Sequence, residues 1–194
     1  SDMCVEAAKK AMDAAGVKPQ DIDMVITGTT TPDLIFPNIS TIIQHRLGIP
    51  ACTAFSLEAA CTGFIYALTT ADKFIKAGEA KCVLVMGAEC ITKLLDWNDR
   101  NTCVLFGDGA GAVVIKRSEG ERGLISSYHR SDGELGDLLY RPAGGVAIPI
   151  DSDVLERKDH HVKMSGREVF RAAVRSMAEA SGNALERAGL TGDD

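Results

Sequence analysis

The chain has 194 residues, 45% of them hydrophobic and 25% charged, which suits a folded domain with one sizeable core. A net charge of −6 and the absence of any Lys or Arg run argue against nucleic-acid binding. The longest apolar runs are far too short to span a bilayer and the start carries no signal-peptide pattern, so the expectation is a cytoplasmic protein without a membrane segment.

In chain order, DMCVEAAKKAMDAAG predicts a helix with Asp2 as N-cap, an apolar face through Val5, Ala8 and Met12, and a stop at Gly16. A polar turn, KPQDID, leads to the β-branched strand MVITGT. The Pro-bounded loop TPDLIFPN and the helix ISTIIQHRL follow, closed by Gly48 and Pro50. Cys52 to Leu57 reads as the next strand. GFIYALTTADKFIKAG then reads as a helix with Phe64, Ile65, Leu68, Ala71, Phe74 and Ile75 on one stripe. KCVLVMG lacks alternation and predicts a strand buried on both faces. GAVVIKR and GLISSYHR read as two strands joined by the turn SEGER, and a last helix runs from Ser165 to Gly189, with Ser165 and Glu168 at capping-box spacing. Strand and helix alternate, which predicts an α/β fold with a mostly parallel sheet covered by helices. The pattern Ala11–Val17 recurs at Ala184–Leu190, each time before a polar turn, which points to internal duplication. The first copy leads on into a strand, whereas the second stops at Asp194, so the chain reads as an incomplete copy.

The six cysteines form no CxxC pair and the four histidines stand at no metal-ligand spacing from them, so neither a zinc site nor a disulfide framework is expected. Cys52, Cys82 and Cys103 lie in or beside strand-like apolar runs and read as small core residues. Cys61 differs. In LEAACTGFIYAL it stands where a strand ends and an amphipathic helix starts, a place where free N–H groups and the helix dipole stabilise an anion. Small neighbours, Ala59, Ala60 and Gly63, would let a substrate approach, or would merely permit close helix packing. Spacing alone leaves both readings open.

The run AACTGFIYAL followed by DRNTCVLFGDGAGAVVI resembles the β-ketoacyl-acyl-carrier-protein synthase III family of the thiolase superfamily. The FPN loop, the Asp99 to Thr102 segment and the MSGREVF helix start extend the resemblance to nearly the whole chain. It implies a thiolase-like layered fold, with residues 1–118 as the N-terminal half, 119–164 as connecting strands and loop, and 165–194 as the first helix of a truncated C-terminal half. The family condenses a short acyl group from coenzyme A with malonyl-acyl carrier protein, releasing carbon dioxide, to start fatty-acid synthesis. Cys61 matches the cysteine that carries the acyl group, and Arg100 a position that contacts coenzyme A. Phe36, Phe106, Met164 and Phe170 match positions lining the acyl or pantetheine pocket, with Phe36 reaching across from the partner subunit of a homodimer. No metal and no cofactor other than the coenzyme A thioester substrate is implied.

The family's His and Asn motifs, of the types H-Q-A-N and N-x-G-N, do not occur in the sequence, so the fragment alone is expected not to decarboxylate. Ser56 stands where the family often has Asp, and Asn101 where it often has Gly, which bears on acyl preference. Gly107 to Gly111 are followed by no Lys-Ser/Thr pair and read as a turn into a strand instead of a phosphate loop. Cys90, with no activating group nearby in sequence, reads as structural. Two other readings stand beside the main one: an acyltransferase of a secondary pathway built on the same fold, and a non-catalytic partner subunit, against which the presence of Cys61 argues.

Overall fold

The computed structural model describes residues 1–120 and 123–193, which form two compact units. The first comprises Ser1–Glu89 and Asp108–Ile125, the second Cys90–Gly107 and Ser126–Asp194.

The first unit is built on a sheet in the order β2-β1-β3-β4, with β1 at Met24–Gly28, β2 at Thr53–Leu57, β3 at Cys82–Cys90 and β4 at Asp108–Lys116. β1 pairs in parallel with both neighbours, aligning Gly28 with Leu57 on one side and with Gly87 on the other. Every residue of β1 and the stretch Cys82–Met86 of β3 are buried, as the unbroken apolar runs require of central strands covered on both faces.

Alternation along these strands sorts the core into two layers. Val25, Leu84 and Met86 pack with Cys4, Ala8 and Met12 of helix α1 (Asp2–Ala15) and with Ile39 and Ile43 of helix α2 (Ile39–Arg46). Met24, Ile26, Val83 and Val85 pack with Ala67, Ala71 and Ile75 of helix α3 (Gly63–Ala77). Helices α1 and α3 stop at Gly16 and Gly78, both left-handed at φ 62° and φ 82°, where a residue with a side chain would be strained.

The second unit holds a short antiparallel pair, β5 (Leu139–Tyr140) with β6 (Lys163–Met164), helix α4 (Ser152–Arg157) and the long helix α5 (Gly166–Ala188). α5 ends as α1 does. Leu190 N–H bonds Leu185 C=O just as Val17 N–H bonds Met12 C=O, so the recurring sequence pattern recurs as one cap geometry.

Several details depart from the sequence reading. Ser1, not Asp2, occupies the N-cap of α1; Asp2 opens the helix and its carboxylate accepts from Arg46 Nη1 at 2.6 Å. Ser165 caps α5 by position only, with φ −90° and ψ 78° and no side-chain hydrogen bond, so no capping box forms. In α3 Ile65 is exposed and Ala67 takes its place in the buried stripe. β4 starts at Asp108, so Gly109 and Gly111 lie inside a strand and do not form the turn before it.

GLISSYHR is not a strand. Its backbone finds no ladder partner; instead Ser126 Oγ donates to Ala184 C=O and Arg187 Nη1 donates to Ser127 C=O while lying over the Tyr128 ring. Of the expected turn SEGER, Glu121 and Arg122 lie outside the described residues, as does the final Asp194. Cys103 sits in a turn with Val104 and Leu105 exposed beside it, not beside a strand. No helix among the described residues is long and apolar enough to cross a membrane.

Candidate active site

Cys61 stands in a single 3-10 turn, Ala60–Thr62, between the end of β2 and the start of α3. The turn is tight because strand and helix are joined within a few residues. Thr62 N–H closes it on Ala59 C=O at 3.0 Å, and Ala60 takes φ 44°, one of two non-glycine residues with positive φ among those described. That conformation costs a residue with a Cβ about 1 to 2 kcal/mol. Cys61 directly follows Ala60 and is exposed.

α3 starts two residues later, continuous with the turn: Gly63 N–H donates to Ala60 C=O, so the thiol sits at the positive end of the helix dipole. Small residues let the helix come this close to the sheet. A Cβ on Gly28 would lie 2.5 Å from Gly63 C, and one on Gly87 would lie 3.0 Å from Phe64 Cβ. Cys61 opens into a cavity of about 500 Å³ whose walls include Gly28, Phe64, Gly87, Glu89 and the Gly109–Val113 stretch of β4. An exposed thiol at a helix start with a mostly apolar cavity before it is suited to attack a carbonyl carbon and to hold the resulting acyl group.

The other cysteines differ in setting. Cys4 and Cys82 are buried, and burial pushes the Cys52 and Cys82 thiols up from the ordinary value. Cys90 ends β3 half-buried.

Phe36 lies in the first unit with Cys61, at the tip of the loop between β1 and α2, 83% exposed and followed by a cis bond to Pro37. The loop is held at its far end by Asn38, which caps α2 by accepting from Thr41 N–H at 3.2 Å and donates to Ala54 C=O at 3.3 Å.

Arg100, Phe106, Met164 and Phe170 belong to the second unit. Met164 and Phe170 come together there, lining a groove of about 810 Å³ with Asn101 and Leu105. Arg100 is exposed on the turn just before this groove, and Phe106 is half-buried just after it. Asp99 ties the turn down, accepting from Asn101 N–H at 3.0 Å and from the buried Thr102 Oγ1 at 2.9 Å; the Asn101 amide is the main reason its carboxyl lies below the usual range. Within the second unit the structure thus brings Met164 and Phe170 into one groove, while Arg100 and Phe106 do not line it.

Three residues near Cys61 escaped the sequence reading: Glu89, Thr30 and Thr31. Glu89 Oε1 accepts from Thr30 N–H at 2.8 Å, and its Oε2 accepts from Thr30 Oγ1 at 2.9 Å and Thr31 Oγ1 at 2.6 Å. The available signal was a glycine two residues before a polar residue at the end of each central strand, Gly28-Thr29-Thr30 and Gly87-Ala88-Glu89.

Residues 55–133 match the family model of 3-oxoacyl-[acyl-carrier-protein (ACP)] synthase III. The whole chain is 46% identical over 194 residues to the β-ketoacyl-[acyl-carrier-protein] synthase III of Caldanaerobacter subterraneus subsp. tengcongensis, covering 59% of that protein. Among solved structures, the 3-oxoacyl-[acyl-carrier-protein] synthase III of Aquifex aeolicus VF5 is 42% identical with a TM-score of 0.85, over 97% of this chain and 56% of that one. The priming β-ketosynthase of the R1128 polyketide biosynthetic pathway is 35% identical with a TM-score of 0.81, over 96% of this chain and 55% of that one. The first curated relatives are spanned over only 58% to 60% of their length. Over its full extent the chain is thus similar to synthases III, and it shares their layered α/β fold.

Proposed function

We propose, taking kinship with the synthase III family as the premise, that the whole protein joins an acyl group from acyl-coenzyme A to malonyl-acyl carrier protein through a Cys61 thioester, initiating fatty-acid synthesis. The observation that carries this reading is the position of Cys61, exposed on a strained turn at the start of α3 and facing a cavity. In the first half-reaction Cys61 Sγ attacks the thioester carbonyl, the coenzyme A thiol departs with a proton, and the acyl group stays on sulfur. Backbone N–H groups around Cys61 are proposed to meet the oxygen that becomes negative during attack. In the second, the malonyl thioester loses carbon dioxide, its α-carbon bonds to the acyl carbonyl, and the bond to Cys61 Sγ breaks. Donors that stabilise the enolate in that step are assigned to the part of the relatives' length that this chain does not span.

Further parts of the reading follow the family. Arg100 is proposed to meet the coenzyme A phosphates or adenine, for which an exposed guanidinium is chemically fit, and Phe106, Met164 and Phe170 to line the acyl or pantetheine path. The protein is proposed to work in the cytoplasm as a homodimer in which Phe36 enters the partner's pocket. An 83% exposed Phe36 and the place of β2 at the sheet edge support the dimer, since both are left uncovered in one copy. A role in starting a polyketide chain is a second reading, favoured by the likeness to the R1128 priming ketosynthase.

The test is incubation of full-length protein with radiolabelled acetyl-coenzyme A, then peptide mapping and a separate assay of carbon dioxide release from malonyl-acyl carrier protein. Label on Cys61, lost in Cys61→Ala, is the expected result. Label on another residue, or wild-type labelling of Cys61→Ala, would overturn the assignment. Sedimentation of the same protein as a stable monomer at micromolar concentration would overturn the dimer.

A further inference from the structure

Beyond the glycines that admit α3, the central strands carry a second layer of side chains. Gly28 and Gly87 are register partners, and both turn a bare face to α3, one toward Gly63 and the other toward Phe64. Side chains two residues apart on a strand share a face. Thr30 and Glu89 stand two residues beyond the two glycines, and the three hydrogen bonds of the Glu89 carboxylate join them there. These bonds fill three of the roughly four acceptor positions a carboxylate offers. The register of β1 with β3 ends at Gly28 and Gly87, so past that point the Glu89 side chain carries the connection onward. Among the described residues, Glu89 is the one charged side chain in the wall of the Cys61 cavity.

The geometry points to Glu89 as a positioning residue for acyl transfer onto Cys61: it latches the chain leaving β1 to the end of β3 and so fixes the rim of the cavity when an acyl group enters. This rests on the reading of Cys61 as the nucleophile. Thr30 and Thr31 also begin the loop that bears Phe36, so the latch sets where that loop departs. A reacting geometry displaced by about 1 Å loses up to about a hundredfold in rate. The latch acts through shape and not through charge. A glutamine at this position keeps it, because its carbonyl accepts from Thr30 N–H and its amide donates to the two hydroxyls, which then act as acceptors.

The experiment follows single-turnover transfer of radiolabelled acetyl groups from acetyl-coenzyme A to Cys61 in full-length wild type, Glu89→Ala, Glu89→Gln and the double variant Thr30→Val, Thr31→Val. Glu89→Ala is expected to slow acylation at saturation about tenfold while the half-saturating concentration moves less than about twofold. Glu89→Gln is expected to stay within about twofold of wild type, and the Thr double variant to match Glu89→Ala, with no further loss when the two are combined. Alkylation of Cys61 by iodoacetamide is expected to hold in every variant, since the nucleophile turn is untouched. Wild-type acylation by Glu89→Ala, a Gln variant as slow as the Ala variant, or alkylation slowed in step with acylation would each overturn the proposal. If Glu89→Ala does not fold, the Thr double variant against Glu89→Gln decides by the same criteria. Wild-type protein that takes no label on Cys61 would instead overturn the nucleophile reading, and the role of Glu89 with it.

Discussion

Gly28 and Gly63 meet backbone against backbone, with a Cβ on Gly28 lying only 2.5 Å from Gly63 C and 2.7 Å from its carbonyl oxygen. Neither neighbour is a flexible side chain that could swing aside. Gly28→Ala must therefore lift the start of α3 from the sheet, at a cost of about 3 kcal/mol. Gly63→Ala is milder, because its Cβ would stand 3.3 Å from Gly28 Cα, at the edge of what packing tolerates. Urea unfolding is expected to show a large drop in midpoint for the first variant and a small one for the second; equal midpoints would show that the contact does not set the helix position.

The cysteines should react in the order of their exposure. Cys61 is exposed, Cys52, Cys90 and Cys103 are half-buried, and Cys4 and Cys82 are buried at 1% and 5%. Thiolate is the reactive form, and burial raises the Cys52 and Cys82 thiols further from it. Brief iodoacetamide treatment followed by mass mapping is expected to find Cys61 modified first, with Cys4 and Cys82 modified only on unfolding. Early modification of Cys4 would contradict the packing of α1 on the sheet.

Ser40 offers a test of the buried polar contacts beneath α2. Its hydroxyl, fully buried, donates to Phe55 C=O at 2.7 Å and shares a hydrogen bond with Thr27 Oγ1 at 2.7 Å, linking α2 to β2 and β1 at once. Ser40→Ala leaves the Thr27 hydroxyl and the carbonyl short of a partner, and the expected loss is about 1 to 3 kcal/mol by chemical denaturation. A loss below about 0.5 kcal/mol would mean that both groups find other partners.

A pH effect is expected in the second unit. His160 and His161 stack with ring centroids 3.9 Å apart, and the Nδ1 atom of each is buried without a partner. Burial, then the neighbouring His160, pushes the His161 imidazole below its usual value, against the opposing pull of Asp96; nearby Lys158 adds to the depression. The folded state thus binds fewer protons than the unfolded one below about pH 6.5, so stability rises with pH there. It is complete above the unfolded value and declines as pH falls toward the folded one. Thermal unfolding at about pH 7.5 and about pH 5.5 should show a lower midpoint at the acid end, and a smaller difference in His161→Phe. An identical acid shift in that variant would place the effect elsewhere.

How far the sequence carried these conclusions depended on whether a feature was local. The helices α1 and α3 were legible because each has an apolar stripe and a glycine stop, and β1 and β3 because runs of Val, Ile and Leu without alternation demand cover on both faces. Cys61 was placed at the strand-to-helix junction for the same reason. GLISSYHR misled because a short stretch with a few apolar residues is a strand only where a partner ladder exists, and here its groups are engaged by Arg187 and by the end of α5. Ile65 misled because the buried stripe of α3 runs through Gly63, Ala67, Ala71 and Ile75, four residues apart, and leaves it outside. Glu89 escaped for a different reason: its partners lie 59 and 58 residues away, and a glycine two residues before a polar residue is too weak a signal to pair it with the threonines.

The left-handed twist at Ala60 bears on how this protein should be altered. Ala60→Gly would remove the steric cost of φ 44° and raise folding stability by about 1 kcal/mol in that respect. It would also loosen the backbone just before Cys61, widening the set of directions in which the thiol points. An engineer selecting for heat resistance alone would welcome the glycine. One selecting for turnover would see the reaction slow while the protein grew sturdier, because alanine at this joint commits the thiol to its bearing before any substrate arrives.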